Sequence, residues 1–282
     1  MMEIKLVALD LDGTLLNPQL NITQNAIGKL NKLMDKNVEV VICTGRTLSE
    51  LPAEFKEMPK IKYYITSNGA VIWDRHELKI IYDNPIPAFD VAELMHILHP
   101  YDMRIEVFAL GRIFISQKCY ARFYEYGGEN HDDFLLKTRT PVDNIEEFVR
   151  DFNQPVDKFN LFFKSAEDRQ KAWEDCVAYG FHVTSSFEQN MEVNATTANK
   201  GVALKALAQK LGIPAHQIMA MGDNLNDMTM LRYVGHPIAM GNAVTEVKDL
   251  ATYVTKANSE DGVAYAVEKL LLEGETDGNL FF

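Results

Sequence analysis

The sequence has few cysteines, a deficit of cationic residues and no long apolar segment. Three cysteines occur in 282 residues, at Cys43, Cys119 and Cys176, and their odd number and wide separation argue against a disulfide framework or a zinc knuckle. Lysine and arginine total 28 against 40 acidic residues, and the net charge of −12 disfavours nucleic acid or an anionic membrane as a partner. No run approaches the ~18 apolar residues that span a bilayer. We therefore expect a cytoplasmic protein without nucleic-acid or membrane partners.

Hydrophobic residues make up 47% of the chain and charged residues 24%, a balance typical of soluble globular proteins. The first 80 residues alternate short apolar runs with helical patterns. The runs Lys5–Leu9, Val38–Cys43 and Tyr63–Thr66 predict buried strands, and the intervening patterns predict a helix capped by Thr23 and a second helix over Thr47–Lys56. This βαβαβ order predicts a parallel sheet with right-handed crossovers.

The same alternation returns after about residue 190, whereas the middle of the chain has a different pattern. The later predicted elements are a helix over Gly201–Leu211, strands over Ile218–Met221, Pro237–Met240 and Tyr253–Thr255, and helices over 227–233 and 263–272. The middle predicts strands over Arg104–Leu110, Arg112–Ser116, Lys158–Phe163 and Phe181–Phe187 and a helix over Ala166–Tyr179. We predict a doubly wound, mostly parallel α/β core, formed by residues 1–83 and 190–282, with an α+β cap inserted at 84–189.

Two aspartates, Asp10 and Asp12, follow the first predicted strand in the segment Leu9-Asp-Leu-Asp-Gly-Thr14. Ligands of open α/β sheets bind at the carboxyl ends of strands, and side chains two apart in an extended segment point the same way. Their repulsion, roughly 3 kcal/mol at an effective dielectric of ~20, is relieved by a bound cation or a shared proton. An ordinary Asp-Gly turn is the alternative interpretation.

Two further segments have the residue types of an anion site. Thr44-Gly45-Arg46 follows the second strand and combines a hydroxyl, exposed backbone N–H groups and a helix start. Asn199-Lys200-Gly201 opens a helix, where a lysine opposes the helix dipole unless an anion faces it. A helix N-cap with a turn glycine is the alternative that the first segment favours when taken alone, and a solvated lysine is the alternative for the second.

The segment Gly222-Asp-Asn-Leu-Asn-Asp227 follows another predicted strand and adds carboxylates and amides at its carboxyl end. An Asx-rich turn that caps the next helix is the alternative, with Asp227 as the capping residue. Taken together, the four segments each follow a strand of one predicted sheet or open a helix connected to it. They supply an acidic pair, a hydroxyl-glycine pair, a lysine and an acidic-amide turn.

In this order the segments resemble those of haloacid dehalogenase (HAD) superfamily phosphatases, specifically the Cof-type subfamily with an inserted α/β cap. The resemblance covers essentially the whole chain. The matching segments are Asp10-x-Asp-Gly-Thr, Thr44-Gly-Arg, Ser67-Asn-Gly-Ala, Asn199-Lys-Gly, Gly222-Asp-Asn-x-Asn-Asp-x-x-Met, Ala239-Met-Gly-Asn-Ala and Glu260-Asp-Gly-Val-Ala.

The resemblance implies a Mg²⁺-dependent phosphomonoesterase in which Asp10 attacks phosphorus and Asp12 transfers the protons. It also implies that Mg²⁺ is held by Asp10, the Asp12 carbonyl and Asp223. Asp227 is implied to contact these ligands rather than the metal ion. The implied ligands of the phosphoryl oxygens are Leu11 through its N–H, Thr44, Gly45, Lys200 and Asn226. Arg46 and Asn68 are candidate substrate contacts.

The expected substrate is a small phosphorylated metabolite, either a sugar phosphate or a phosphorylated cofactor, selected by the cap. We expect a monomer or a small homo-oligomer. Three alternatives remain: a phosphomutase resembling phosphomannomutases, an aspartate phosphoacceptor of the signalling type, and a non-catalytic phosphate-binding protein. The mutase needs a second anion site in the cap, and the phosphoacceptor needs neither a cap nor Asp12.

Overall fold

A computed structural model describes residues 4–126, 133–185 and 189–273, and the chain divides into two compact units. The core unit comprises 1–45, 52–82 and 199–282, and the cap unit comprises 46–51 and 83–198. The sequence predicted the divisions at 83/84 and 189/190. The largest difference is the segment 190–198, which belongs to the cap unit; the segment 46–51 also groups by its contacts with the cap although it follows the second core strand.

The strands of the described residues are numbered in chain order. They are β1 (Leu6–Leu9), β2 (Glu39–Cys43), β3 (Tyr63–Thr66), β4 (Val71–Asp74), β5 (Lys79–Asp83), β6 (Met103–Ala109), β7 (Arg112–Ser116), β8 (Arg139–Val142), β9 (Lys158–Phe163), β10 (His182–Thr184), β11 (Asn190–Asn194), β12 (Ile218–Gly222), β13 (His236–Ala239) and β14 (Tyr253–Val254).

The α-helices of the described residues are numbered in the same way. They are α1 (Gln24–Asp35), α2 (Ala88–Leu98), α3 (Gln117–Ala121), α4 (Asp133–Thr138), α5 (Ile145–Phe152), α6 (Ala166–Tyr179), α7 (Lys200–Leu211), α8 (Met228–Tyr233), α9 (Thr245–Leu250) and α10 (Gly262–Val267). Within the described ranges, no helix is both long enough and apolar enough to cross a membrane.

The core unit contains one sheet with the strand order β14-β13-β12-β1-β2-β3-β4-β5. The strands from β14 to β3 pair in parallel, and β4 pairs antiparallel to β3. The central strand β1 is fully buried because all four of its residues are apolar, as a parallel strand between two neighbours requires. The predicted α/β class with a mostly parallel core sheet is therefore confirmed.

The connection after β1 shows why the predicted local structure forms. Thr23 accepts a hydrogen bond from the N–H of Ala26 and caps α1, whose apolar side chains lie on one buried face. The chain then returns to β2, whose Val40 lies beside Val7 of β1 in parallel register. This crossover brings the carboxyl ends of β1 and β2 to the same edge of the sheet.

The cap unit contains a second sheet with the order β10-β11-β9-β6-β7-β8, antiparallel except for the pair β7 and β8. Three of its buried side chains are cationic: Arg104, Lys158 and Arg139. Each forms an ion pair with a buried glutamate, respectively Glu106, Glu192 and the pair Glu50 and Glu106. The cap's described residues therefore include an ion-pair network as well as an apolar core.

The predicted helix over Thr47–Lys56 is wrong. Two short 3₁₀ turns occupy the segment instead, Leu48–Glu50 and Ala53–Glu57, separated by Pro52 in an extended conformation. A proline disfavours helical geometry in the residue before it, which prevents one continuous helix here. The strands β4, β5, β8 and β11 were not predicted. The predicted strand Phe181–Phe187 corresponds to the shorter strand β10, which ends at Thr184. Residues 186 and 187 of the predicted strand lie outside the described ranges.

Candidate active site

Four loops of the core unit converge at the carboxyl edge of its parallel strands. Asp10 follows β1, Thr44 follows β2, Ser67 follows β3 and Asp223 follows β12. Backbone hydrogen bonds continue the sheet into these loops: the Asp10 N–H donates to the Met221 carbonyl at 3.1 Å, and the Thr44 N–H donates to Ile65 at 2.8 Å. The polar segments that the sequence placed after separate strands therefore lie along one edge.

The ammonium of Lys200 lies between two carboxylates in this site. Its Nζ donates to Asp10 Oδ1 at 2.6 Å and to Asp227 Oδ1 at 2.7 Å, and the lysine side chain is fully buried. Burial lowers the pKa of Lys200, but the carboxylates of Asp10 and Asp227 outweigh burial and raise that pKa overall. Lys200 is therefore a fixed cation. Its position in the first turn of α7 follows from Asn199, whose side chain caps the helix at the Val202 N–H.

The second carboxylate oxygen of Asp227 is engaged by the backbone. Asp227 Oδ2 accepts the N–H groups of Asp223 at 2.9 Å and Asn224 at 3.1 Å. Together with Lys200 at Oδ1, these donors occupy both oxygens and hold the loop that carries Asp223. This geometry favours an orienting role for Asp227, as the resemblance implied.

The carboxylate of Asp223 is held on its other side by the loop after β1. Its Oδ1 accepts a hydrogen bond from Thr14 Oγ1 at 2.9 Å. Gly13 has a φ of +82°, and a Cβ at that position would lie 2.2 Å from Asp223 Oδ2. The glycine is therefore required both by the backbone conformation and by the close approach of the carboxylate.

Burial and mutual repulsion perturb two of these acids. Burial, followed by the charge of Asp227, raises the pKa of Asp10 well above its usual range, and Lys200 opposes the increase. Burial and Asp227 likewise raise the pKa of Asp223 to about 7, while the Thr14 hydroxyl lowers it. Both acids would bind a cation that compensates for their lost hydration.

The acidic group fits a divalent metal ion. Oxygens of Asp10, Asp223 and Asp227 lie within 4.8 Å of one another. These three carboxylates and the Lys200 ammonium, which contacts two of them, carry an excess of two negative charges when all four groups are ionised. The donors are all oxygens, the ligand type that Mg²⁺ prefers. Since Asp227 is engaged by Lys200 and the backbone, Asp10 and Asp223 are the better placed ligands.

The remaining predicted residues surround this group in the core unit. Asp12 adds its charge to those acting on Asp10 and Asp223, and Leu11 opens the turn between the two aspartates. Asn226 Nδ2 donates to Asn68 Oδ1 at 3.4 Å, and the Asn68 N–H donates to the Thr44 carbonyl at 3.0 Å. These contacts join the loops after β2, β3 and β12.

Gly45 follows Thr44 at the end of β2, whereas the next residue, Arg46, groups with the cap unit. Its Nη1 donates to the carbonyl of Glu50 at 3.0 Å, within the segment 46–51. Arg46 therefore belongs to a different unit from the residues that contact Asp10.

Sequence reasoning missed two contributors to the site. Thr14 binds Asp223, and Asn242 Nδ2 donates to the carbonyl of Gly13 at 2.9 Å, which fixes the turn after Asp12. Both residues lie in segments that carried the family resemblance, Asp10-x-Asp-Gly-Thr and Ala239-Met-Gly-Asn-Ala, and that resemblance was the available signal for them.

Comparison with known families identifies the chain. Residues 7–267 match the haloacid dehalogenase-like hydrolase family. The chain belongs to this family. The match spans both units, so the family assignment covers the core and the inserted cap together.

Named relatives agree with this assignment. Phosphatase YwpJ of Bacillus subtilis is 31% identical over 95% of this chain and 100% of its own length. The 5-amino-6-(5-phospho-D-ribitylamino)uracil phosphatase YcsE of Bacillus subtilis is 31% identical over 96% of this chain and 97% of its own length. A solved haloacid dehalogenase-like hydrolase from B. subtilis is 30% identical, with a TM-score of 0.82, and the alignment covers 95% of this chain and 100% of that one. The prediction of a HAD-type phosphatase is confirmed.

Proposed function

We propose that this protein is a Mg²⁺-dependent phosphomonoesterase that hydrolyses small phosphorylated metabolites through a phosphorylated Asp10. The observation that carries the proposal is the buried Asp10 carboxylate, 2.6 Å from the Lys200 ammonium and grouped with Asp223. A carboxylate held by a fixed cation at a strand end is suited to attack an electrophile whose negative charge that cation also stabilises.

In the first step an oxygen of Asp10 forms a bond to phosphorus, and the bond from phosphorus to the ester oxygen breaks. The leaving oxygen takes a proton from the carboxylic acid of Asp12, so that an alcohol departs and Asp10 carries the phosphoryl group. Two successive displacements suit an ester whose uncatalysed hydrolysis is extremely slow.

In the second step the Asp12 carboxylate accepts a proton from water while the water oxygen bonds to phosphorus. The bond between phosphorus and Asp10 breaks, which restores the Asp10 carboxylate and releases inorganic phosphate. Asp12 thus acts first as a general acid and then as a general base and ends in its starting protonation state.

Charge on the transferred group is stabilised by donors from several loops. Lys200, the Thr44 hydroxyl, the Asn226 amide and the backbone N–H groups of Leu11 and Gly45 are the proposed donors. When bound, Mg²⁺ would be held by Asp10, Asp223 and the Asp12 carbonyl and would neutralise charge on a phosphoryl oxygen.

The proposed substrate class is a small sugar phosphate or a phosphorylated cofactor. A relative named for 5-amino-6-(5-phospho-D-ribitylamino)uracil supports a phosphate ester of a sugar-derived chain. Hydrolysis is favoured over a phosphomutase reaction, because a mutase must hold a second anionic group in its cap. The buried cap cations Arg104, Arg139 and Lys158 are already neutralised by glutamates, so none of the three is available to such a group.

The test is phosphate release from a panel of sugar phosphates, pyridoxal phosphate, flavin mononucleotide and p-nitrophenyl phosphate. Each assay runs with Mg²⁺ and with excess chelator, beside the Asp10→Asn variant. Release that requires the metal and is lost in the variant supports the proposal. Asp10→Asn hydrolysing esters at the wild-type rate would exclude Asp10 as the nucleophile, and transfer of the phosphoryl group back to the sugar without release would indicate a mutase.

A further inference from the structure

The turn after β3 holds three consecutive residues in the left-handed region of backbone conformation. Ser67 has a φ of +51°, Asn68 of +56° and Gly69 of +95°. This region is unfavourable for residues other than glycine, although asparagine tolerates it better than most. The turn is buried, with Ser67 fully covered and Asn68 3% exposed. Strain of this kind persists only where surrounding contacts impose it.

The contacts that impose this conformation come from the loops that carry proposed phosphate ligands. The Asn68 N–H donates to the Thr44 carbonyl at 3.0 Å. A Cβ on Gly69 would lie 2.3 Å from the carbonyl oxygen of Asn199, the residue that caps the helix of Lys200. Asn226 Nδ2 donates to Asn68 Oδ1 at 3.4 Å. One strained turn therefore contacts the loops of Thr44, Lys200 and Asn226.

The side chain of Asn68 contacts one of the proposed phosphate ligands directly, the Asn226 carboxamide. A carboxamide nitrogen has two N–H donors, and a bond from one of them to a fixed acceptor sets the plane of the group and the direction of the other. Asn68 Oδ1 is such an acceptor, because the residue is only 3% exposed and its backbone is held by the Thr44 carbonyl and by the packing of Gly69. The second N–H of Asn226 is then directed independently of the substrate.

We propose that Asn68 is a positioning residue that orients the Asn226 carboxamide toward the transferred phosphoryl group. This role rests on the proposed function, in which Asn226 binds a phosphoryl oxygen. It differs from the role that the family resemblance suggested for Asn68, a direct contact with the substrate. The strained backbone is the means by which the core places an acceptor opposite Asn226.

The experiment compares Asn68→Gly with Asn37→Gly. Glycine retains the left-handed conformation of the turn and the N–H bond to Thr44, so that Asn68→Gly removes only the carboxamide. Asn37 is an exposed residue of the core unit with a φ of +62°, and Asn37→Gly is the same change in the same backbone region. Melting temperature, kcat and KM are measured for both variants, each also in an Asn226→Ala background.

We expect Asn68→Gly to lower kcat/KM for p-nitrophenyl phosphate about 10- to 100-fold, mainly through kcat, because misdirection of a transition-state ligand has this effect. Since Asn68 is buried and Asn37 is exposed, Asn68→Gly also loses the packing of a covered side chain, and kcat and KM are therefore compared well below the melting temperatures of both variants. In the Asn226→Ala background the same substitution should have little further effect. Wild-type activity in Asn68→Gly, or an equal loss in both backgrounds, would overturn the proposal.

Binding of inorganic phosphate in the presence of Mg²⁺, measured by calorimetry, separates this proposal from the proposed function. If the wild type hydrolyses no ester but Asn68→Gly weakens phosphate binding, and does so only when Asn226 is present, the positioning role stands and the hydrolase proposal fails. If the wild type hydrolyses no ester and Asn68→Gly also binds phosphate as the wild type does, Asn68 does not position Asn226.

Discussion

Replacement of Lys200 by methionine tests how the core unit stabilises its buried acids. The substitution keeps a long unbranched side chain in the fully buried position and removes the ammonium that contacts Asp10 and Asp227 at 2.6 and 2.7 Å. Two carboxylates then share a buried site without their cation. Since the shape of the side chain changes little, the effect measures the lost charge rather than a cavity.

The expected magnitude follows from the burial of the group. Removal of one partner of a buried ion pair decreases the free energy of unfolding by about 3–5 kcal/mol, because the remaining charge is left without compensation. We expect a decrease of this size for Lys200→Met at pH 8 in excess chelator. A divalent cation added at millimolar concentration should recover part of it, since the acidic group attracts a cation more strongly once the ammonium is absent. Activity should fall by about 10²–10³ in kcat, as for the loss of a donor to a transition-state oxyanion.

Trp73 and Trp173, the two tryptophans of the chain, allow the free energy of unfolding to be measured in one unit at a time. Trp73 lies on β4 of the core and Trp173 on α6 of the cap, so fluorescence in a Trp173→Phe background follows the core unit through urea unfolding. Lys205→Met, an exposed lysine on the same helix α7, is the matched control and should change the free energy little. A decrease in the free energy of unfolding of less than about 1 kcal/mol for Lys200→Met in excess chelator would contradict this prediction, because the buried carboxylates would then need no counter-ion.

Two further predictions concern the cap unit. Burial, assisted by the charge of Asp83, raises the pKa of Asp157 to about 7, so the folded state holds a proton that the unfolded state has lost. The free energy of unfolding should therefore fall as pH rises from about 4 to 7, and Asp157→Asn should remove this dependence and stabilise the cap by about 1–2 kcal/mol at pH 8. Arg139→Met leaves Glu50 and Glu106 without the guanidinium that contacts them at 2.7 and 2.8 Å and should cost about 3–5 kcal/mol.

Both cap predictions are measured by urea unfolding through Trp173 fluorescence in a Trp73→Phe background. Asp151→Asn and Arg150→Met are the controls, because these two side chains form an exposed ion pair in the same unit. Unchanged pH dependence in Asp157→Asn would contradict the first prediction. If Arg139→Met decreases the free energy of unfolding no more than Arg150→Met does, the second prediction is wrong.

The regular elements of the core could be predicted because their apolar runs are short, uninterrupted and followed by polar loops. The sequence predicted β3 with the same limits as the structure, and it placed β1 and β12 to within one residue. The convergence of four loops at one edge follows from the rule for parallel strands. The contact between Lys200 and Asp10, 190 residues apart, could not be derived from spacing, and the family resemblance implied only that both residues contact one phosphoryl group.

The unpredicted elements have physical explanations. In β11 the charged and amide side chains Asn190, Glu192 and Asn194 are buried together with its apolar ones, so polarity does not reveal which residues are covered. The segment predicted as a helix after Arg46 instead folds around Glu50, whose carboxylate accepts the Thr47 N–H and binds Arg139 of the cap. Pro52 interrupts the segment locally, and Glu50 also contacts a partner 89 residues away, which local propensity does not contain.

The central claim is that Asp10 carries the phosphoryl group, and chemical trapping tests it most directly. The Asp12→Asn variant, which lacks the general base of the second step, is mixed with Mg²⁺ and an ester that has a good leaving group, quenched in acid and digested. We expect a peptide heavier by one phosphoryl group, modified at Asp10 and absent from the Asp10→Asn variant. Phosphate release by Asp12→Asn without any phosphorylated peptide, or the modification of a residue other than Asp10, would contradict the account.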